Sequence, residues 1–499
     1  MTDKMRSYWH LAIPLAIAGG GLILHRGILR TTILGLDSYT LILTSRIRSF
    51  PEFIGTFTET RMDGRLSYAD FYRPVDNLFL SMDYAFWGIE PFGYQLTSLL
   101  VWCSTIVALY LLMWRMLGPR SWIGPAIAAL FYALHPSALS VIPVLARRPE
   151  MLVILFTALA LSVLPRTPSR GAWKNYLIAG LLTLLAVGSK ETGVLTVGLI
   201  FIHQASSLDA GGVRERISCG LWASLPAAAL TAGLIIVRHL AIGGFGGYHA
   251  ASQQAFTAKL TEFAPEYFFA MLCSGYFDTP SSRVLVTTLS VVAIATVSLG
   301  LVWTSRNKND EALRRLPPIL LLAASWLGAT VLLSCMTTHF SPRHVLPMVF
   351  FVAMMLGALG EGIAAISRHK DWTTRSLAIV AGSVLLLVAI GALHGSPLVT
   401  RHPEMGQATR YQTQALSSLK EKIDSEPAGE VIDVDFRHKV PVHAKAVDDA
   451  WMISPWGLEA WLEIVYPERR FTVQPLRRQG MPIQDFWSVR LRQHRSPMK

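Results

Sequence analysis

The sequence predicts a mainly α, polytopic membrane protein of about 11 transmembrane helices, with a large first outer loop and a small C-terminal soluble α/β domain. Three observations predict it. The 499 residues are 52% hydrophobic and only 16% charged, with a mean hydropathy of +0.40, against about 25% charge in a soluble chain of ordinary composition. Apolar runs long enough to cross a bilayer, roughly 17–25 residues each, recur from residue 8 to residue 394. Beyond 396 the composition turns charged.

The runs cover about 8–27, 93–114, 122–142, 149–165, 174–190, 192–207, 218–238, 284–304, 317–336, 344–366 and 376–394. The sixth is short, and the third contains His135-Pro136 near its end. The first lacks a small-residue cleavage site and is followed by further spans, which predicts a retained anchor. Lys4 and Arg6, Arg115 and Arg120, then Arg166, Arg170 and Lys174 fall in short segments on alternate sides of the spans. Arg214 and Arg216, then Arg306, Lys308, Arg314 and Arg315, and finally Arg368, Lys370 and Arg375 continue the pattern. Basic residues in short loops mark the cytoplasmic side, so the N-terminus is expected inside and the C-terminal domain outside. The +12 formal charge is thereby explained by topology and excludes a nucleic-acid footprint. The predicted division is a transmembrane domain over 1–395, with its first outer loop at 28–92, and an extracytoplasmic domain over 396–499. In the latter, "YQTQALSSLKEKI" (411–423) predicts a helix and "EVIDVDF" (430–436) a strand. The outer face also receives the 239–283 loop. Cys103, Cys219, Cys273 and Cys335 are widely spaced without a CxxC pair and read as small buried hydrophobes.

Basic residues are rare in short outer loops: Arg147 and Arg148 in "VLARRPEML", Lys190 in "GSKETG" and Arg343 in "HFSPRHVLP". Each sits at the edge of a span, where it must snorkel to headgroups or find a partner. Four such sites on one face favour convergence on an anion, and arginine's planar fork suits the phosphate of a lipid headgroup. Lys190 and Glu191 could satisfy one another or position a ligand. Asp37, in "ILGLDSYTLI", is flanked by apolar residues. It fits either a helix N-cap or a desolvated carboxylate poised as a general base. Downstream, Asp70, Arg73, Asp76 and Asp83 are packed among aromatics in "SYADFYRPVDNLFLSMDYAFWGIEPFGYQL" (67–96). The aromatics suit an interfacial belt and a helix lying along the membrane; the charges do not follow from that. A lone His135 in a span is more often a hydrogen-bonded packing residue than a ligand, and no His or Cys spacing signals a metal.

Five elements, in order, resemble those of the GT-C glycosyltransferases, especially their TMTC-like and oligosaccharide-transferase-like members. "GLDSY" (35–39) looks like the acidic motif after the first span, and "FYRPVDNLFLSMDYAFWGIEPFGYQLTSLLV" (71–101) like the Tyr-Arg-Pro segment leading into the second. "FYALHPSALSVIPVLARRPEML" (131–152) resembles the Leu-His-Pro stretch with its basic pair and acid, Glu150. "GSKETGVL" (188–195) resembles the Ser-Lys-Glu turn, and "SPRHVLP" (341–347) an Arg-Tyr-x-x-x-Pro element with His344 in place of Tyr. The resemblance implies transfer of a sugar from a polyprenyl-phosphate donor to a glycan, lipid or protein acceptor on the extracytoplasmic side. It implies that Asp37 is catalytic and that Arg147, Arg148, Lys190 and Arg343 hold the donor phosphate. Asp70, Arg73, Asp76, Asp83, His135, Glu150 and Glu191 are expected to support the site. Relatives often carry paired acids at the first motif, whereas Ser38 follows Asp37 here, so a second carboxylate from the loop is a candidate. No metal ligands are assigned, although a divalent ion is compatible. The alternative class is a transporter or lipid flippase, against which the odd span count, outer C-terminal domain and lack of internal symmetry argue. A non-enzymatic membrane scaffold leaves the loop acids without a purpose.

Overall fold

A computed structural model describes residues 3–64, 69–206, 212–244, 247–248, 256–273, 287–292, 294–298, 311–336, 341–368, 372–399, 403–425, 432–436, 453–475 and 489–493. The chain is an integral membrane protein built mostly from helices. Four of the described helices are both long and apolar enough to cross a membrane: α5 (Pro91–Leu117), α11 (Val213–Ile242), α13 (Leu316–Cys335) and α14 (Val345–Ser367). The other expected spans within the described residues are also helical. They are α1 (Asp3–Leu24), α6 (Ile123–Leu134), α8 (Arg148–Val163), α9 (Trp173–Ser189), α10 (Leu195–Ala205) and α15 (Trp372–Leu393). The third run is broken at His135-Pro136: α6 ends at Leu134 and a separate turn of helix, α7 (Ser137–Val141), follows. Proline disfavours helical backbone in the residue before it, and His135 is accordingly extended. Of the expected span at 284–304, residues 287–292 and 294–298 are described, and they are helical.

Helix contacts close into a ring: α5 packs on α6, α6 on α14, α14 on α13, and α13 on α10. From there α10 packs on α11, α11 on α9, α9 on α8, and α8 back on α5. Small residues allow the tightest approach, where Gly124 of α6 meets Gly357 of α14. A Cβ on either glycine would lie about 2.5 Å from the other's carbonyl oxygen. A helix that the loop assignment for 239–283 did not anticipate, α12 (Phe256–Cys273), buries Phe263, Tyr267, Phe269 and Met271 against this bundle.

A second apolar core lies at one end of the ring. It joins Ile33, Tyr39, Leu41, Ile42 and Leu80 of the first loop to Leu416, Leu419, Ile423, Ile453, Leu458 and Trp461 of the C-terminal region. The loop contributes α2 (Ser38–Thr44) and α4 (Pro74–Trp87), while α3 (Phe50–Thr58) between them adds no residue to this core; the tail contributes α16 (Pro403–Asp424) and α17 (Pro455–Val465). The expected helix at 411–423 lies inside α16, and the expected strand becomes β3 (Ile432–Phe436), parallel to β4 (Phe471–Pro475) and antiparallel to β5 (Val489–Gln493). A two-residue pairing, β1 (Ala69–Asp70) with β2 (Gly247–Tyr248), ties the first loop to the segment after α11.

The α4 helix resolves the mixed chemistry of its sequence by facing two ways. Pro74, Asp76, Leu80 and Asp83 are buried, while Met82 and Phe86 are exposed. The turn out of α4 uses Gly88 at φ 58°, ψ −116°, a conformation that glycine alone adopts without strain. Gly93 then lets the Trp87 ring lie on the start of α5, where any Cβ would overlap it.

Candidate active site

The ends of α9, α11 and α13, the starts of α8 and α14 and the first outer loop enclose a cavity of about 720 Å³. Asp37, Arg61, Arg73, Lys190, Glu191, Arg238 and Arg343 supply its charged wall, together with Glu150. Trp326, Leu333, Met336 and Val153 supply an apolar one. Five basic side chains thus face three carboxylates in a chamber with a greasy side. The opposite ends of α8 and α13 carry a smaller, separate pocket lined by Arg115, Arg166 and Arg315, residues that the topology reading assigns to the cytoplasm.

Most of the cations in the large cavity are held by acids. Glu191 bridges Arg73 at 3.1 Å and Arg238 at 3.2 Å, and Lys190 pairs with Glu150. The Arg61 guanidinium pairs with fully buried Asp76, which stands behind the cavity wall. Burial lowers Arg61 to about 10 against the support of Asp76, and raises the Asp76 carboxyl against the pull of Arg61. Across the cavity, Arg343 Nε lies 3.3 Å from His344 Nε2, and His344 Nδ1 lies 3.1 Å from the Tyr267 hydroxyl. Next to Arg61, Met62 adopts φ 66°, the sole non-glycine positive φ among the described residues. Such strain concentrates where a structure holds side chains for function.

Asp37 stands at the N-terminus of α2, yet its side chain makes no capping bond there. It accepts instead from the Trp456 indole N–H, Nε1 to Oδ1 2.7 Å. Burial pushes the Asp37 carboxyl above the ordinary aspartate range, while Trp456, Arg61, Arg343 and Arg73 pull the other way.

The structure brings together Asp37, Arg73, Glu150, Lys190, Glu191 and Arg343 of the residues named from sequence. It does not bring in the rest. Arg148 is wholly enclosed: it donates to Asp83, to Ser98 Oγ at 3.2 Å and to the Tyr94 carbonyl at 3.0 Å. With every guanidinium nitrogen engaged inside the protein, it is not placed to hold a donor phosphate; its partner is an internal aspartate. Arg147 is also buried and donates from Nη1 to the Ser140 carbonyl at 2.6 Å, away from the cavity lining. Asp76 and Asp83 are counter-ions to Arg61 and Arg148, not walls of the cavity, and Asp70 lies on β1. His135 is buried between Ser137 Oγ (2.8 Å) and the Met271 carbonyl (3.0 Å), a packing role. Arg61, Arg238 and Trp456 were not singled out from sequence. The separation of Asp76 and Asp83 by seven residues, two turns on one helix face, was the available signal that buried basic partners must exist. Among the described residues no three His, Cys, Asp or Glu side chains group to hold a metal ion.

The fold and cavity together define a helical integral membrane protein with a charged chamber at one end of its bundle. No family model and no curated protein matches the chain. Among the solved structures that resemble it are those of two proteins. One is the oligosaccharyltransferase of Archaeoglobus fulgidus tethered to an acceptor peptide (TM-score 0.49, 12% identity, covering 93% of this chain and 64% of that one). The same enzyme, AglB, in complex with an inhibitory peptide and a dolichol-phosphate, gives 0.48 at 13% identity over 93% and 64%. The other is ArnT from Cupriavidus metallidurans bound to undecaprenyl phosphate, at 0.46 and 12% identity over 95% and 90%. The chain thus spans 64% of the length of the archaeal oligosaccharyltransferase.

Proposed function

We propose that the chain is a GT-C-type glycosyltransferase that moves a sugar from a polyprenyl-phosphate carrier to an acceptor on the extracytoplasmic side of the membrane. In this reading about eleven helices span the bilayer, the N-terminus is cytoplasmic, and residues 396–499 form an extracytoplasmic domain docked on the first loop. The observation that carries it is the cavity itself: Asp37, five basic side chains and an apolar wall from α13 share one chamber. A polyprenyl phosphate is an anion on a hydrocarbon tail, and the cavity offers both surfaces.

Chemically, Asp37 accepts the proton of the acceptor's hydroxyl or amide as its O or N bonds to the anomeric carbon. The bond from that carbon to the phosphate oxygen breaks, and its electron pair leaves on the phosphate. Lys190, Arg343, Arg73 and Arg238 surround that developing charge, where fixed cations lower the barrier most. A single displacement inverts the anomeric centre. Hexosyl or pentosyl identity follows from contacts with the sugar.

The test supplies purified protein with a labelled polyprenyl-phosphate sugar and follows its consumption. Carrier movement across vesicles without turnover would favour the flippase. Replacing Lys190 by Met or Arg343 by Gln should weaken donor handling, lowering kcat/KM by about 10–100-fold, as loss of one hydrogen bond to a charged group (~1.5–3 kcal/mol) requires. Unchanged kcat/KM in both variants would remove the phosphate from this end of the cavity. The Lys190 change also strands Glu150, so its melting temperature must be read beside its kinetics.

A further inference from the structure

Three hydrogen bonds fasten the start of α17 to the chain on either side of Asp37. Ser454 donates to the Leu36 carbonyl from its backbone N–H (3.3 Å) and from its hydroxyl (2.6 Å). Thr40 Oγ1 donates to the Trp456 carbonyl at 3.2 Å. Between them, the Trp456 N–H reaches Asp37 Oδ1 at 2.7 Å, while the Gln412 amide on α16 donates to the Ile33 carbonyl at 2.7 Å. Gly457 permits this closeness, because a Cβ there would sit 2.6 Å from the Leu36 carbonyl oxygen. The buried Ser454 hydroxyl also receives the Gly457 N–H at 2.9 Å, which caps α17. These contacts between the first loop and the C-terminal region join residues 379 to 419 positions apart, and all converge within four residues of one carboxylate.

A half-buried carboxylate with no bond from its own helix has two torsions to settle. Among the described residues, the indole N–H is the sole hydrogen-bond donor to the Asp37 side chain. Occupying Oδ1 fixes the plane of the carboxylate and leaves Oδ2 as the oxygen available to a second partner. Asp37 lines the cavity and Trp456 does not. We therefore propose that Trp456 is a positioning residue of the transfer reaction: from the C-terminal region it holds Asp37 in one orientation, so that Oδ2 is the oxygen offered to the acceptor. The C-terminal region then completes the active site. This rests on Asp37 being the base, as proposed above.

The first measurement is independent of turnover. Protein labelled with 5-fluorotryptophan is observed by fluorine NMR in detergent, and the Trp456 resonance is assigned as the one missing from Trp456→Phe. It should titrate with pH in the wild type and lose that titration in Asp37→Asn. A Trp456 resonance insensitive to Asp37→Asn overturns the contact. The second is kinetic. Trp456→Phe keeps the ring and removes the donor, so kcat should fall roughly 10- to 100-fold through lost orientation, with donor KM little changed. The acid limb of its pH–rate profile should move up by about one to two pH units, because a bond favouring the ionised form is gone. A thermal melt like the wild type's excludes simple unfolding. Should Trp456→Phe prove unstable, Gly457→Ala, which pushes the segment away from Leu36 and keeps the indole, should move the acid limb the same way. Loss of turnover in Asp37→Asn with an unmoved acid limb in the tryptophan variant overturns the positioning role alone. Turnover that survives Asp37→Asn overturns the base assignment and this role together.

Discussion

Replacing Asp37 by Asn is expected to lower kcat by about 10²–10⁴-fold, the usual contribution of a general base, while the fold persists. Asparagine keeps the shape of aspartate, and its amide oxygen can still accept the Trp456 N–H that Oδ1 accepts now. What it cannot do is take a proton from the acceptor. In the proposed reading donor binding relies on the cations across the cavity, so donor KM should change little. The pH dependence follows from the burial that raises Asp37 above the ordinary aspartate range. Below that raised value the carboxyl is protonated and turnover fails; above it the rate reaches a plateau, with the acid limb at higher pH than an exposed aspartate gives. The sign for stability is opposite. A carboxyl whose folded pKa is raised contributes stability below its unfolded pKa, and that contribution is lost as pH rises through the folded value. At neutral pH Asp37→Asn should therefore melt no lower than the wild type. A site that costs stability in order to work is common among enzymes. Unaltered turnover of the labelled donor by Asp37→Asn would remove this residue from the chemistry.

How much of this was legible in the sequence depends on the distance over which each feature is encoded. The helices were legible because apolar runs and basic loops are local signals; the third run was carried unbroken to 142, although the proline at His135-Pro136 acts on its immediate neighbour and the helix ends there. Asp37, Lys190 and Arg343 were legible as charges where a membrane protein does not keep them without reason, and the cavity gathers all three. The roles of Arg148, Asp76 and Asp83 were not, because a cation at a span edge reads the same whether it meets a ligand or an internal carboxylate. Arg238 reads as the snorkelling end of an apolar helix until its contact with Glu191 is seen. α12 was hidden by Pro265 and by the acids of "TEFAPEY", which gave that stretch the look of a loop. Trp456 could not be found at all, since nothing local to a tryptophan beside a proline says which carboxylate the tail will reach.

The Arg148–Asp83 pair carries the largest expected effect on stability. Arg148 has no exposed surface, and Asp83 almost none. Asp83 also takes the Thr97 hydroxyl at 2.6 Å, and Arg148 spends its remaining donors on Ser98 and the Tyr94 carbonyl. The pair thus bolts α4, α5 and the start of α8 together beneath the first loop. Removing one partner leaves the other charged without a counter-ion inside the protein, at a cost of about 3–5 kcal/mol. Asp83→Asn and Arg148→Met should each lower the apparent melting temperature in detergent and shorten the half-life on warming, the appropriate readout where unfolding is irreversible. The double variant should recover most of the loss, because a buried ion pair replaced as a whole by neutral side chains of similar size is often near neutral. The same series separates two roles for Arg148. A structural bolt predicts that any activity lost in Arg148→Met is regained when Asp83→Asn is added. A phosphate ligand predicts that donor KM stays raised in the double variant even when the melting temperature is restored, and that result would return Arg148 to the donor site from which its enclosed guanidinium now excludes it.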